Sequence, residues 1–571
     1  MFYVQIERQT YLASEHTILA PIDQSVMMKS NAISNLGTRR RHDTQPIIAT
    51  ANDAVLSKLS ASQQGYYDDP FLPYLARDGS ASAHTSINRS MQRQHISQSQ
   101  SLPLNLREGD DYEHDQFLEI SRSSLAPTPT GIGPDRRRRR PPSHSHSQPQ
   151  PVMHQPIIRR GTHARVLVVD YAVSTFLSLC SATADMESND NQVQIVILGS
   201  GRDTTYLRSQ SGLLYDKSKA KNADADGDQS IGTKCINKNE QHDNDFNAGK
   251  RVKAKWYEVD YPSVIQSKFE LLQSCDLFDF EHEIISHSQA NPNHDPSSTT
   301  SIPLEKLQSY NITPKSIRTS TSTGANTNAD ANGMDKRKCD AKSEHNLEPY
   351  NLISFDLRNP FKALLAQLQK HHNFDTNQPT LFLMECVQMY LPEASSRSIL
   401  QTISSECAIP FMAIFDPIIQ NDPFGRVMAH NLTKAGITDA SMSMLHCTTL
   451  KDQVEKLATG GFEYVTGCDF WNANEMILTM EDRRRANRAE MLDEVEEWML
   501  IMRHYCFVVA AGGVRMGNRG KEDGPVGAFE RGQLGEDSGN ARYRLKKIAQ
   551  AFCSVENGNA LGFVRSKCIT H

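Results

Sequence analysis

Residues 193–208 read Val-Gln-Ile-Val-Ile-Leu-Gly-Ser-Gly-Arg-Asp-Thr-Thr-Tyr-Leu-Arg, an apolar run that ends at two glycines and then turns polar. This pattern predicts a buried strand followed by a tight turn, because glycine adopts backbone conformations that other residues avoid. Such a turn lets a ligand approach the bare backbone at the end of the strand. Tight turns without any ligand also use glycine, so the pair alone leaves both interpretations open.

A second apolar stretch, residues 256–260, reads Trp-Tyr-Glu-Val-Asp and ends on a carboxylate. An acid at this place in a parallel sheet can accept hydrogen bonds from two ribose hydroxyls. A dinucleotide fingerprint needs a third glycine where this chain has Thr204, which argues against NAD. In a dinucleotide fingerprint the acid follows the glycine turn by about 20 residues. Asp260 fits this spacing if polar residues 209–250 form a surface insertion and are left out of the count. The two stretches predict an adenosine site, with a strand-end cap as the alternative role of Asp260.

The composition is that of a globular protein with long polar segments. Of 571 residues, 38% are hydrophobic and 22% charged, which is enough for a large core. The net charge of −6 gives no reason to expect a nucleic-acid partner. The 11 cysteines have no paired metal-ligand spacing, so we predict reduced thiols and no metal site.

The location is predicted to be cytoplasmic. No apolar run approaches the roughly 18 residues of a membrane span, and the first residues do not form a signal peptide. The run Arg136–Arg140 is a nuclear import signal, a contact for an acidic surface or, more simply, part of a solvated loop. Access to the nucleus therefore stays open.

Composition also predicts the domain organisation. Residues 1–45 form a polar extension, residues 46–510 form one domain, and residues 511–571 form a polar, Gly-rich tail with a short helix near Tyr543–Phe552. Low-complexity segments at about 78–150, 209–250 and 286–345 interrupt the domain and are predicted to be disordered inserts.

Between these inserts, apolar strand-like runs alternate with helical patterns, the order expected of a doubly wound α/β sheet. The helices are predicted at Phe361–Lys370, Ser395–Ser405 and Arg488–His504, the last with Leu492, Val495, Met499 and Met502 on one face. Seven strands are predicted, at Gln194–Leu198, Lys255–Val259, Asn351–Phe355, Thr380–Met384, Phe411–Phe415, Phe462–Thr466 and Tyr505–Ala510.

Several blocks in fixed order resemble the leucine carboxyl methyltransferase family. They include Thr50–Ala54, Gly65–Phe71, Arg160–Val166, the Gly199 turn with its Asp-Thr-Thr, Tyr257–Pro262, Asp356–Arg358 and Pro379–Tyr390. The resemblance covers most of residues 48–77 and 156–510 outside the inserts. It implies a class I S-adenosylmethionine-dependent methyltransferase, with a Rossmann-like, doubly wound, seven-stranded sheet and an N-terminal helical cap.

The same resemblance implies an activity and a partner. The family transfers a methyl group from S-adenosylmethionine to the C-terminal leucine carboxylate of the protein phosphatase 2A catalytic subunit. We therefore expect that subunit's tail as the partner of this chain, which we expect to be a monomer. No catalytic residue is predicted, because a leucine carboxylate is already ionised at neutral pH.

The resemblance also implies cofactor contacts. Lys58 and Arg165 match the basic pair that binds the methionine carboxylate, a role suited to charge-assisted hydrogen bonds. Gly199 matches the glycine beneath the cofactor, and Asp260 matches the acid on its ribose. The remaining matches are Asp356 and Leu357 at the adenine ring and Glu385 as a further contact.

Two other functions stay open from the sequence. One is the related methyltransferase of the tRNA wybutosine pathway, which carries a repeat-built β-propeller; no repeat of that kind is visible here. The other is an inactive adaptor that binds the phosphatase tail, although an adaptor has no need for a full set of cofactor-binding residues. The chain departs from the family pattern at Arg202 and at Asp-Pro-Phe-Gly 422–425, and a nucleophilic role for Cys386 is disfavoured.

Overall fold

The computed structural model describes residues 45–77, 154–183, 192–215, 252–290, 304–318, 347–434, 441–512, 550–553 and 564–565. The elements given below belong to one compact unit, which is made from residues 1–76 and 152–571. The polar extension, the insert at 78–150 and the run Arg136–Arg140 fall, almost entirely, outside the described residues.

The described strands form one mixed sheet in the order β10-β8-β9-β7-β6-β1-β2-β5-β4-β3. The five strands β5, β2, β1, β6 and β7 are parallel neighbours, and β9 lies antiparallel between β7 and β8. The strands are β1 Gln192–Leu198, β2 Lys253–Asp260, β3 Phe278–Ala290, β4 Leu304–Ile317, β5 Tyr350–Ser354, β6 Thr380–Glu385, β7 Pro410–Pro417, β8 Phe462–Asp469, β9 Tyr505–Gly512 and β10 Val564–Arg565.

Helices cover both faces of this sheet. They are α1 Gln45–Gln63, α2 Leu72–Leu75, α3 Pro156–Thr183, α4 Thr205–Gln210, α5 Pro262–Gln273, α6 Phe361–His371, α7 Glu393–Glu406, α8 Pro423–Lys434, α9 Ser443–His446, α10 Leu450–Thr459, α11 Phe470–Ile477, α12 Met480–Ala489 and α13 Val495–Arg503. Local sequence fixes several starts: Thr449 and Thr479 form capping boxes at α10 and α12, and Pro262 begins α5.

The alternation of side chains along β1 shows how the two faces are used. Ile195 and Ile197 join a core that includes residues of α1, α3 and α13, whereas Val196 and Leu198 join a second core with α6, α7 and α10. A strand buried on both sides reads as a continuous apolar run, as residues 195–198 do. The sheet is therefore doubly wound, as predicted.

Helix α3 is long and apolar enough to cross a membrane by length and composition, with a mean hydropathy of 1.4 in an 18-residue window within Pro156–Ala182. The sequence analysis did not anticipate this property. Its apolar side chains pack in the protein core: Phe176 is fully buried and its ring lies 5.2 Å from that of Phe411 on β7. Packing against the sheet thus accounts for the apolar composition of α3.

All seven predicted strands are present, as β1, β2, β5, β6, β7, β8 and β9, and the first two predicted helices are α6 and α7. The prediction of a seven-stranded sheet is wrong in number, because β3, β4 and β10 extend it at its two edges. The central part of the sheet keeps the predicted strands, because those strands are buried on both faces and carry the clearest apolar pattern.

The predicted insert at about 286–345 is wrong in its first part. Strands β3 and β4 form a long antiparallel hairpin there, and β4 pairs with β5 through Tyr310, Asn311 and Ile312. Much of β3 is exposed, so its sequence is polar and lacks the apolar run of a buried strand. Residues 291–303 and 319–346 lie outside the described parts of the chain.

The other predicted segment boundaries also need correction. The insert predicted at 209–250 begins too early, because Tyr215 belongs to the fold and its hydroxyl donates to the carbonyl of Ile477 at 2.8 Å. In the tail, residues 550–553 are helical, and the ring of Phe552 lies 5.3 Å from that of Phe411. Residues 216–251 and most of the tail are not among the described residues.

The single helix predicted at Arg488–His504 is also wrong. The chain leaves helix α12 at Glu490, whose backbone is extended and whose carboxylate pairs with Arg159. A new helix, α13, begins only at Val495, and its buried residues are Trp498, Ile501 and Met502, of which Met502 alone belongs to the predicted stripe. The chain is therefore not helical at residues 490–494, inside the predicted helix.

Candidate functional site

A cavity lies at the carboxyl ends of β1, β2 and β6. The order of parallel strands reverses between β1 and β6, which makes this the switch point where doubly wound sheets bind ligands. Counting its open mouth, the cavity holds about 1280 Å³ of empty space. Its lining includes six of the seven predicted contacts: Lys58, Arg165, Gly199, Asp260, Leu357 and Glu385.

The turn after β1 forms the floor of the cavity. Gly199 and Gly201 both have positive φ angles, +69° and +55°, which favour glycine. Helix α1 lies directly over this turn, because a Cβ atom on Gly201 would be 3.6 Å from the Cβ of Ala51. Both glycines are therefore required by backbone geometry, and the turn they form borders the cavity.

Asp260 joins the end of β2 to this turn. Its two carboxylate oxygens accept hydrogen bonds from the backbone N–H groups of Gly201 and Tyr261, each at 2.6 Å. Burial raises the pKa of Asp260 to about 6, although both backbone donors oppose that shift. Asp260 therefore caps the end of β2. Its carboxylate also has further lone pairs that can accept hydrogen bonds from a ligand.

Three charged side chains that line the cavity lie close to one another. Lys58 on α1 places its Nζ 3.1 Å from Glu385 Oε2, and Arg165 on α3 places its Nε 2.7 Å from Glu385 Oε1. All three side chains are at most 14% exposed. Three elements far apart in the sequence thus bring two cations and one anion to one side of the cavity, a complement to a ligand that carries both charges.

The predicted adenine pair is only partly at the cavity. Leu357 lines it, together with Phe355, and both are buried. Asp356 is not among the lining residues; its carboxylate accepts from the guanidinium of Arg358, with Oδ2 at 2.5 Å from Nη2. A contact between Asp356 and adenine stays a prediction, whereas the apolar wall is in place.

Asp203 is a cavity residue to which the sequence analysis gave no role. It follows the glycine turn, and its Oδ1 lies 3.0 Å from Lys58 Nζ. Its position was visible in the Asp-Thr-Thr block of the sequence, but nothing in the sequence pairs it with Lys58, which lies 145 residues away. The contact depends on α1 packing over the turn.

Cys386 also lines the cavity, directly after Glu385. Its backbone has a φ of +56°, and burial raises the pKa of its thiol to about 12. A thiol with that pKa is almost entirely protonated at neutral pH, so it lacks the thiolate needed for nucleophilic attack. The described residues contain no group of three or more His, Cys, Asp or Glu side chains placed to hold a metal ion.

The departures from the family pattern have local structural explanations. Arg202 donates to the carbonyl of Leu75 at 3.2 Å and to Ser267 Oγ at 3.0 Å, so it fastens α2 and α5 to the turn. In the 422–425 block, Asp422 Oδ1 accepts from the N–H of Gly425 at 2.7 Å, within the first turn of α8. Both residues therefore have roles in the fold.

The sheet order and the cavity at the switch point define the fold as that of a Rossmann-like class I methyltransferase, with β9 as the antiparallel strand inserted between β7 and β8. Residues 295–404 match the leucine carboxyl methyltransferase family.

Several relatives of the chain are named leucine carboxyl methyltransferase 1. The chain is 32% identical over 163 residues to the probable leucine carboxyl methyltransferase 1 of Caenorhabditis briggsae, covering 28% of this chain and 47% of the relative. It is 26% identical over 360 residues to leucine carboxyl methyltransferase 1 of Aspergillus fumigatus, covering 62% and 71%. The first relatives are thus matched over about half their length.

Among solved structures, the chain is similar to a putative methyltransferase from Thermobifida fusca. The identity is 10%, the TM-score is 0.30, and the similarity covers 62% of this chain and 82% of the other. This distant similarity adds nothing to the topology described above.

Proposed function

We propose that this protein is an S-adenosylmethionine-dependent methyltransferase that esterifies the C-terminal leucine carboxylate of the protein phosphatase 2A catalytic subunit. The observation that carries the proposal is the cluster of Lys58, Arg165 and Glu385 at the switch-point cavity. It complements the ammonium and carboxylate groups of an amino-acid ligand. The similarity of residues 295–404 to the leucine carboxyl methyltransferase family supports the choice of acceptor.

The residues of the cavity fit the parts of this cofactor. Lys58 and Arg165 would hold the methionine carboxylate, and Glu385 would complement the positively charged end of the molecule, since all three line the cavity. Asp260 would accept hydrogen bonds from the ribose hydroxyls, and Leu357 would contribute an apolar surface for the adenine ring. When bound, S-adenosylmethionine supplies an electrophilic methyl group on a sulfonium sulfur.

The protein's own contribution to the reaction is alignment. The acceptor carboxylate is ionised at neutral pH, so no residue has to remove a proton from it. The cavity walls, including α1, would orient the acceptor carboxylate toward the cofactor and exclude competing water. The product is a methyl ester that has lost one negative charge.

The test is transfer of labelled methyl from S-adenosylmethionine to purified phosphatase 2A catalytic subunit. A subunit that lacks its final leucine is the matched control. We expect label on the intact subunit only, and we expect mild base to release it as methanol, since esters hydrolyse under those conditions. Label that resists base, or that appears equally on both subunits, contradicts the assignment.

The other functions predict different results in the same assay. Methylation of tRNA, with no label on the phosphatase, identifies the wybutosine-pathway activity. Binding of the phosphatase tail without cofactor binding identifies an adaptor. The set of charged groups at the cavity favours the methyltransferase, because an adaptor does not use them.

A further inference from the structure

Asp203 occupies a fixed position beside the cavity. Its side chain is 5% exposed, and its Oδ2 accepts from the N–H of Thr205 at 3.2 Å. Its backbone carbonyl accepts from the buried Nζ of Lys268 at 2.6 Å, and Lys268 also pairs with Glu258 on β2. The carboxylate is therefore held from the first turn of α4, and its backbone is held from α5.

Lys58 has the opposite character, because its ammonium sits at the end of a flexible four-carbon chain. Two anions lie within reach, Asp203 at 3.0 Å and Glu385 at 3.1 Å. Glu385 is shared with Arg165 and is itself a proposed ligand contact. Of the two anions, Asp203 is the one with no proposed contact to the ligand.

We propose that Asp203 is a positioning residue, whose carboxylate fixes the Lys58 ammonium where it receives the carboxylate of the cofactor. This inference rests on the proposed function for the identity of the ligand. The contact between the two side chains does not depend on it.

Charges around the pair support this role. Burial opposes ionisation of Asp203, but the charges of Lys58, Arg208 and Lys268 outweigh it and hold the pKa of Asp203 below its usual value. Burial likewise opposes the charge on Lys58, but Asp203 and Glu385, against Arg165, raise the pKa of Lys58. The remaining acids that interact with Asp203 are Asp69, Asp170 and Glu258. Lys58 thus stays cationic into the alkaline range.

The test compares Asp203→Asn with Asp170→Asn. Asp170 is also a buried carboxylate, 1% exposed, but it pairs with Arg208 and not with Lys58. Calorimetric titration with S-adenosylmethionine from pH 7 to 10.5 is the measurement. We expect about tenfold weaker binding for Asp203→Asn at pH 7.5, the loss typical of a charge-assisted hydrogen bond.

The pH profile separates positioning from a general loss of stability. Without Asp203, the pKa of Lys58 falls, so the affinity of Asp203→Asn for S-adenosylmethionine is expected to decline between pH 7 and 10.5 relative to that of the parent, whose raised pKa keeps Lys58 charged over this range. Asp170→Asn is expected to unfold at lower urea concentration but to keep the parent's pH profile of binding. A constant ratio of affinities between Asp203→Asn and the parent over this range, or the same decline in both variants, overturns the inference.

Competitive acetylation of Lys58, read by mass spectrometry, measures the pKa of the amine with no cofactor present. If the parent protein fails to bind S-adenosylmethionine, the proposed function fails, while this measurement still tests Asp203. If Asp203→Asn does not fold, Asp203→Glu replaces it, since it keeps the charge but moves it. We then expect a pKa of Lys58 near the parent's with weaker binding; binding equal to the parent's overturns the role.

Discussion

Gly199 and Val387 approach each other so closely that a Cβ atom on the glycine would lie 2.5 Å from Val387 Cγ2. Gly199 follows β1 and Val387 follows β6, so the contact joins the ends of the two strands on either side of the switch point. Both residues line the cavity. The contact explains why the first glycine of the turn must lack a side chain, in addition to its φ of +69°.

Gly199→Ala is expected to weaken cofactor binding, because the new methyl group displaces Val387 toward the cavity. Its backbone cost is about 1–2 kcal/mol. Gly65→Ala is the matched control: its φ is +90°, but a Cβ atom there has nothing within 4 Å. Urea unfolding and calorimetry on both variants separate the effects. Equal cofactor affinities in the two variants would contradict the crowding argument.

Arg165→Ala is expected to weaken S-adenosylmethionine binding at least about tenfold, because a charge-assisted hydrogen bond to the cofactor carboxylate is lost. Arg165→Lys is expected to keep only part of the parent's affinity, since an ammonium cannot form the two parallel hydrogen bonds of a planar guanidinium. Arg160→Ala on the same helix is the control: Arg160 donates to Asn487 and to the carbonyl of Glu490. If calorimetry finds that Arg165→Ala binds S-adenosylmethionine as tightly as Arg160→Ala does, Arg165 is not a cofactor contact.

Cofactor affinity is expected to fall as the pH drops through about 6, because burial raises the pKa of Asp260 to about 6. The ionised carboxylate accepts from ribose hydroxyls, and its protonation removes that capacity. Well below this pH, affinity falls by up to about tenfold per pH unit. Asp260→Asn is expected to bind more weakly at pH 8 and to lack this step. Dissociation constants measured from pH 5 to 8 decide the point, and a step that survives in the Asn variant refutes it.

The fold is expected to lose stability in mild acid through His163. Burial, with the nearby charges of Arg485 and Arg160, lowers the pKa of His163 to about 3, so the folded protein holds it neutral. Below about pH 6.5 the unfolded chain binds a proton at His163 and the folded protein does not. The free energy of unfolding therefore falls by about 1.4 kcal/mol per pH unit down to about pH 3. His163 stacks on Tyr67, a contact that Phe can replace.

Between pH 7 and pH 5, the free energy of unfolding of His163→Phe is therefore expected to fall by about 2 kcal/mol less than that of the parent. About 1.5 pH units of that window lie below the pKa that His163 has in the unfolded chain. Urea unfolding at the two pH values is the measurement. His372, whose pKa burial also lowers to about 3, remains in both proteins and contributes equally. An identical loss in parent and variant excludes His163 as a source of the acid sensitivity.

The sequence was most informative where local pattern and tertiary role coincide. The central strands were predictable because they are buried on both faces, and the Gly199 turn because only glycine suits its φ angle. Strands β3 and β4 were missed because an edge hairpin buries few side chains. Asp203 and the Asp356–Arg358 pair were beyond prediction, since their partners depend on packing or on a choice between nearby charges.

The pairing of β1 with β6 also determines when the cavity can form. Gln194 and Thr380 lie side by side in the sheet although they are 186 positions apart in the chain. Each doubling of an intervening loop costs only about 0.6 kcal/mol, so long segments between strands are tolerated in the finished fold. Contacts between such distant segments nevertheless form slowly. During translation, Lys58 and Arg165 are synthesised before Glu385. The cluster of these three side chains can therefore form only after β6 has been synthesised.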